Sequence, residues 1–141
     1  MVNADKVRDG TGETDATLLS VAIAAFEGAL KLDRELGVAW LGMARTQRLL
    51  RNLDGAEEAL TRARRLLSED DPSSAAEAAL LALDQGDIAS AANLIDAADI
   101  HGDSPVITYV RGNIEARSGH LERALDYYSR TLKLDTNHIR A

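Results

Sequence analysis

The chain has 141 residues, the length of one ordinary domain, with 45% apolar and 28% charged residues, two prolines and 4% aromatics. Alanine and leucine supply most of the apolar volume, which favours helix. The absence of cysteine excludes disulfides and cysteine-based metal sites, and the net charge of −7 disfavours bulk binding to nucleic acid or anionic membrane, which needs a cationic surface.

Residues 1–14, "MVNADKVRDGTGET", carry two glycines and no apolar periodicity, so a flexible N-terminal arm is expected. The stretch Arg8–Thr14 is glycine-rich but follows no strand and has no lysine after its glycines, as a phosphate loop requires. A helix is predicted over about Asp15–Leu32. Its apolar run Leu18–Phe26 is too short to span a bilayer. The acids Asp9, Glu13 and Asp15 precede that run where a secretory signal would be basic, so no signal peptide is read and a cytoplasmic location is favoured.

Helical patterns follow at about Val38–Leu50, Ser73–Gln85 and Pro105–Ser118, each succeeded by a second one after a short break. The breaks are "RNLD" (51–54), "QGD" (85–87) and "SGH" (118–120), and helices joined by such short turns are antiparallel neighbours. Gly86 and Gly119 suit left-handed C-terminal caps. Asp71–Pro72 and Ser104–Pro105 each place a capping side chain before a proline that has no N–H to strand. The stretch "DIHGD" (Asp99–Asp103) could offer a metal O and N ligands with Asp96, yet a turn explains it better, as it does "SEDDP" (Ser68–Pro72). Asp135–Ala141 reads as a linker.

Four of these segments repeat without gaps: "AIAAFEGAL" from Ala22, "AEEALTRAR" from Ala56, "AANLIDAAD" from Ala91 and "ALDYYSRTL" from Ala124. Each opens with alanine. A large residue follows four places on (Phe26, Leu60, Ile95, Tyr128), then a small one three places later (Ala29, Ala63, Ala98, Thr131). That spacing puts all three on one helix face, where the small residues admit a neighbouring helix and the large one fills the gap. The starts lie 34, 35 and 33 residues apart.

The period and the two-helix unit resemble the tetratricopeptide repeat family across roughly residues 15–141. The best match runs through Trp40, Met43, Ala44, Gln47, Ala56, Leu60 and Ala63. The repeat at 72–104 is alanine-rich and weakest in large residues. The last repeat keeps Gly112, Gly119, Ala124 and Tyr128 but has Thr108 where the pattern has an aromatic. The resemblance implies an all-α solenoid of about seven helices forming a right-handed superhelix: a half repeat at 15–36, then repeats at 37–71, 72–104 and 105–138. Thr136 stands where the family usually has proline. No polar capping helix closes the stack, so a fragment of a longer solenoid, or an open end that meets a partner, is expected.

Trp40 shares a face with Met43, Ala44 and Gln47, so it is expected to be buried as a peg between the two helices of its repeat. In the family the first helices line a concave groove. The face so implied carries Leu41, Arg45 and Arg48, then Leu80 and Leu83, then Tyr109, Asn113 and Arg117. These residues point to a protein partner, a peptide or helix that is acidic and partly apolar, bound through arginine forks and the tyrosine face. The alternative is that the arginines are solvated or paired with Glu57, Glu58 or Asp84. A clamp for a terminal carboxylate, as in chaperone-binding members, is not expected, because only Arg45 and Asn113 fit its chemistry. The second reading is a self-associating module, a homo-oligomer using the ends of the stack. A helical enzyme or ligand sensor is the third. No carboxylate pair, nucleophile–base pair or metal set stands out, so no enzyme activity, metal or cofactor is expected, and neither nucleic-acid binding nor membrane insertion.

Overall fold

The computed structural model describes residues 2–98 and 104–140, with side chains described over 15–98 and 104–135. Among the described residues there are seven helices: α1 (Val2–Leu32), α2 (Gly37–Leu49), α3 (Leu53–Leu66), α4 (Pro72–Asp84), α5 (Ile88–Ala98), α6 (Pro105–Arg117) and α7 (Leu121–Arg140). They form two compact units, Met1–Leu66 and Leu67–Ala141. Helices pack as antiparallel pairs, α2 with α3, α4 with α5 and α6 with α7; α1 packs on α2, and α6 also meets α4 and α5.

The three hairpin turns use one device. At each, the residue after the C-cap is left-handed: Arg51 (φ 68°), Gly86 (φ 83°) and Gly119 (φ 85°). The next N–H closes back across the turn to a carbonyl in the last helical turn, Asn52 to Gln47, Asp87 to Ala82 and His120 to Glu115. Glycine adopts this conformation without strain, so two of the turns are stop signals written in the sequence. The third is not, because it is made by an arginine. Asn52 and Asp87 then cap the following helix, accepting from the Gly55 and Ser90 N–H groups at 3.2 and 3.1 Å. Ser90, through its hydroxyl first and its N–H second, holds the Asp87 carboxyl below its ordinary value of 3.8.

In the first unit, α2 buries Ala39, Met43, Ala44 and Thr46, and α3 buries Ala56, Ala59, Leu60 and Ala63. The Phe26 ring of α1 sits on Gly42 of α2. Trp40 is not the buried peg expected. It is half-buried, with its indole N–H donating to the Arg34 carbonyl at 2.9 Å and the Arg62 guanidinium 4.9 Å from its ring centre. An indole N–H needs an acceptor, and the free one lies in the α1–α2 turn, so the ring clips that turn to α3 at the edge of the core.

In the second unit, α4 is buried almost all round, from Ser74 to Ala79 and from Leu81 to Leu83. Ile95, Ile107 and Val110 are its largest fully buried side chains, packed with Ala75, Ala76, Ala79, Ala82 and Ala91. Alanine lets helices approach closely, and the branched residues fill what remains. Asp71 caps α4 by accepting the Ser74 N–H at 2.9 Å. Ser104 makes no such bond with its side chain; α6 opens on Pro105, and Ser104 contributes its carbonyl to the Thr108 hydroxyl at 2.9 Å.

Both chain ends carry more helix than expected. The backbone is helical from Val2, not from Asp15, and to Arg140, through the expected linker. Glycine costs a helix about 1 kcal/mol relative to alanine but leaves the hydrogen-bond ladder intact, and propagation needs only one bond per residue. Gly10 and Gly12 therefore do not stop α1, and with Thr136 in place of proline nothing stops α7.

Candidate recognition site

The residues that the sequence assigned to a binding face fall in both units. In the first, Arg45 is exposed, Leu41 and Arg48 are half-buried, and all three lie on α2. In the second, Leu80 is half-buried beside the core, and Leu83 is 3% exposed and belongs to that core. Leu83 therefore offers no floor to a ligand. On a helix buried almost all round, the predicted outer face is an inner one. Arg117 is also committed: its guanidinium lies 3.8 Å from the Asp84 carboxylate and donates to the Leu83 carbonyl at 3.3 Å, tying α6 to the end of α4. The pairing with Asp84 is the bland alternative foreseen for that arginine.

Tyr109 and Asn113 are brought together. Tyr109 is 46% exposed, and its ring centre lies 5.9 Å from that of Tyr128 on α7, tilted by 43°. The Tyr128 hydroxyl donates to Asn113 Oδ1 at 2.6 Å. Tyr128 in turn rests against Gly112, where a β-carbon would stand 2.5 Å from Cε1 of the ring. Only glycine leaves room for it, so Gly112 sets the position of the Tyr128 ring, and that ring backs Tyr109. Burial raises the Tyr128 phenol above its ordinary value of 10.0, and neighbouring Tyr109 adds to the effect.

Tyr109 borders an open cleft of about 490 Å³ within the second unit. Pro72 and Ser73 at the start of α4 form one wall, and Ser104, Pro105, Val106 and Tyr109 of the α6 start form another. Thr131 and Asp135 of α7 complete it. This role of the two prolines and of α7 is not evident from the sequence. The prolines are helix openers, as their position after Asp71 and Ser104 implies, and they also line the cleft. The available signal was the spacing of Tyr128, Thr131 and Asp135, which places them on one face of α7.

The described lining is mostly apolar, with hydroxyls and one carboxylate at the edge. A flat ring, two rigid prolines and a few polar groups suit the capture of an extended or helical segment more than bond-making. Among the described residues, no three potential metal ligands stand together. Asp96, the one described member of the metal alternative, pairs with Arg111 at 2.9 Å, and Asp99–Asp103 lie outside the described residues. No described helix is long and apolar enough to cross a membrane.

The sequence model of the tetratricopeptide repeat matches residues 76–139. Among solved structures, a chain of the APC/C hetero-tetramer Cut9–Hcn1 is similar over 84% of this chain, with a TM-score of 0.71 and 20% identity. PilW, a widely conserved type IV pilus biogenesis factor, is similar over 96%, with a TM-score of 0.68 and 22% identity. MamA is similar over 94%, with a TM-score of 0.63 and 17% identity. At these identities the likeness is one of fold. This chain spans 22% of the Cut9–Hcn1 chain, 63% of the PilW chain and 77% of the MamA chain. No curated protein matches the sequence.

Proposed function

We propose that this chain, whose residues 76–139 match the tetratricopeptide repeat, holds a segment of a partner protein on the faces of its first helices, since members of that family are generally protein–protein interaction modules and typically non-enzymatic. The observation that carries this reading is the Tyr109 cleft: an exposed aromatic ring, propped from behind by Tyr128, over an open apolar hollow. Rigid aromatic area of this kind anchors peptides at low entropic cost. Two of the similar folds belong, by their own names, to a hetero-tetramer and to a pilus biogenesis factor, and we extend a scaffold role in assembly to this chain. Binding of a partner peptide to the full chain tests it. Tyr109→Ala is expected to weaken that binding about tenfold, and unchanged affinity would remove the cleft from the site. Arg45→Glu separately reports whether α2 takes part, since Arg45 remains an exposed cation.

A second reading is favoured by a different surface. The outer face of α7 exposes Leu121 and Leu125 at 65% and 67%, one helical turn apart. Exposed apolar stripes invite burial against another helix, so this face supports self-association between copies of the chain. Sedimentation over a range of concentrations separates the two readings: dimer formation abolished by Leu125→Glu supports the second, and a monomer throughout dismisses it.

A further inference from the structure

We propose that the Tyr109 cleft selects a basic segment, an extended peptide presenting a lysine or arginine between apolar residues. This rests on the cleft being the recognition site. It replaces the acidic partner expected from the arginines of the first helices.

The charges decide the sign. Of the described residues lining the cleft, the one formally charged is Asp135, and no lysine or arginine is among them. The exposed acids Glu69 and Asp70 directly precede the Asp71–Pro72 start of the α4 wall. Three described arginines of the second unit have their own partners. Arg111 pairs with Asp96, Arg117 with Asp84, and Arg130 with Asp126 while lying over Tyr127. Lys133 lies between Thr131 and Asp135 in sequence, two residues from each, and so projects from another side of α7.

The helix starts oppose this field. Each helix N-terminus carries about half a positive charge, and both α4 and α6 open onto the cleft. At α4 the Asp71 carboxylate sits on that end and offsets it. The cation therefore belongs on the α7 side of the cleft, at Asp135, away from the α6 start. Its aliphatic stem would lie along Pro105 and Val106 and its head beside the Tyr109 ring face, where a desolvated cation gains from both the carboxylate and the aromatic quadrupole.

The test is fluorescence anisotropy with the full chain and three labelled short peptides of leucine and proline carrying lysine, glutamine or glutamate at the same places. The lysine peptide is expected to bind about tenfold more tightly than the glutamate peptide and to weaken as salt rises. Asp135→Asn should cost the lysine peptide about fivefold and leave the glutamine peptide unchanged. Circular dichroism of each variant confirms that the exposed substitution leaves the fold intact. Tighter binding of the glutamate peptide, or no effect of Asp135→Asn on the lysine peptide, overturns the basic preference. The cleft itself survives that result if Tyr109→Ala still weakens whichever peptide binds. If Tyr109→Ala weakens none of them, the cleft reading falls together with the preference.

Discussion

The two units solve the same packing problem with different residues. Met1–Leu66 contains the stretch closest to the repeat pattern, including the one tryptophan, yet Trp40 is only half-buried and clips a turn. Leu67–Ala141 contains the repeat poorest in large side chains, yet its α4 is buried almost all round, and Ile95, Ile107 and Val110 are sealed. Agreement with a pattern and depth of burial are therefore separate properties. Alanine at the contacts draws helices close enough for a few branched residues to fill the core, while a large ring with a polar N–H is held at the edge.

The largest expected effect sharpens this contrast. Ile107→Ala should cost about 3 kcal/mol in urea denaturation, whereas Trp40→Ala should cost about 2 kcal/mol, because the half-buried ring already keeps part of its surface in solvent. If Trp40→Ala proves the costlier, the tryptophan is the keystone after all. Next comes Gly112→Ala, which drives a β-carbon against the Tyr128 ring and should cost about 2 kcal/mol. Near-UV circular dichroism would show the tyrosines displaced, and an unchanged tyrosine signal would contradict the contact.

The turns offer a reciprocal exchange of smaller size. Arg51→Gly in the first unit should stabilise by up to about 1 kcal/mol, while Gly86→Ala in the second should destabilise by about 1 kcal/mol. Matching signs would show that the two turns are not the same device. The smallest effect is in pH. All three tyrosines lie in the second unit, and the folded Tyr128 phenol is raised above 10.0. A group raised on folding stabilises fully below its unfolded value and loses that contribution as pH climbs through the folded one. Stability should therefore decline above about pH 10, and Tyr128→Phe should flatten the decline.

Much of the fold was legible because periodicity records burial directly. The alanines that open the repeated segments of the three hairpins, Ala56, Ala91 and Ala124, are all buried, and Gly86 and Gly119 make the left-handed turns their sequence announced. Three features were not legible, each for a local reason. Arg51 adopts a conformation that its side chain disfavours, so the sequence carries no glycine signal there. Glycine content suggested an arm at 1–14, but a helix tolerates isolated glycines once it is propagating. Leu83 and Arg117 were placed on an outer face by helical geometry alone. That geometry cannot say how many sides of α4 are covered, or that Asp84 stands within reach of Arg117. Tyr109 and Asn113 share a face of α6 by their spacing, but the cleft beside Tyr109 needs Thr131 and Asp135 from α7, a contact that spacing within one helix does not reveal.

The most direct test of the recognition site is an NMR titration of the full, isotope-labelled chain with the lysine peptide, following backbone amides. Shifts are expected to concentrate at Val106, Tyr109, Thr131 and Asp135. Shifts centred on Leu121 and Leu125, with the cleft silent, would contradict it.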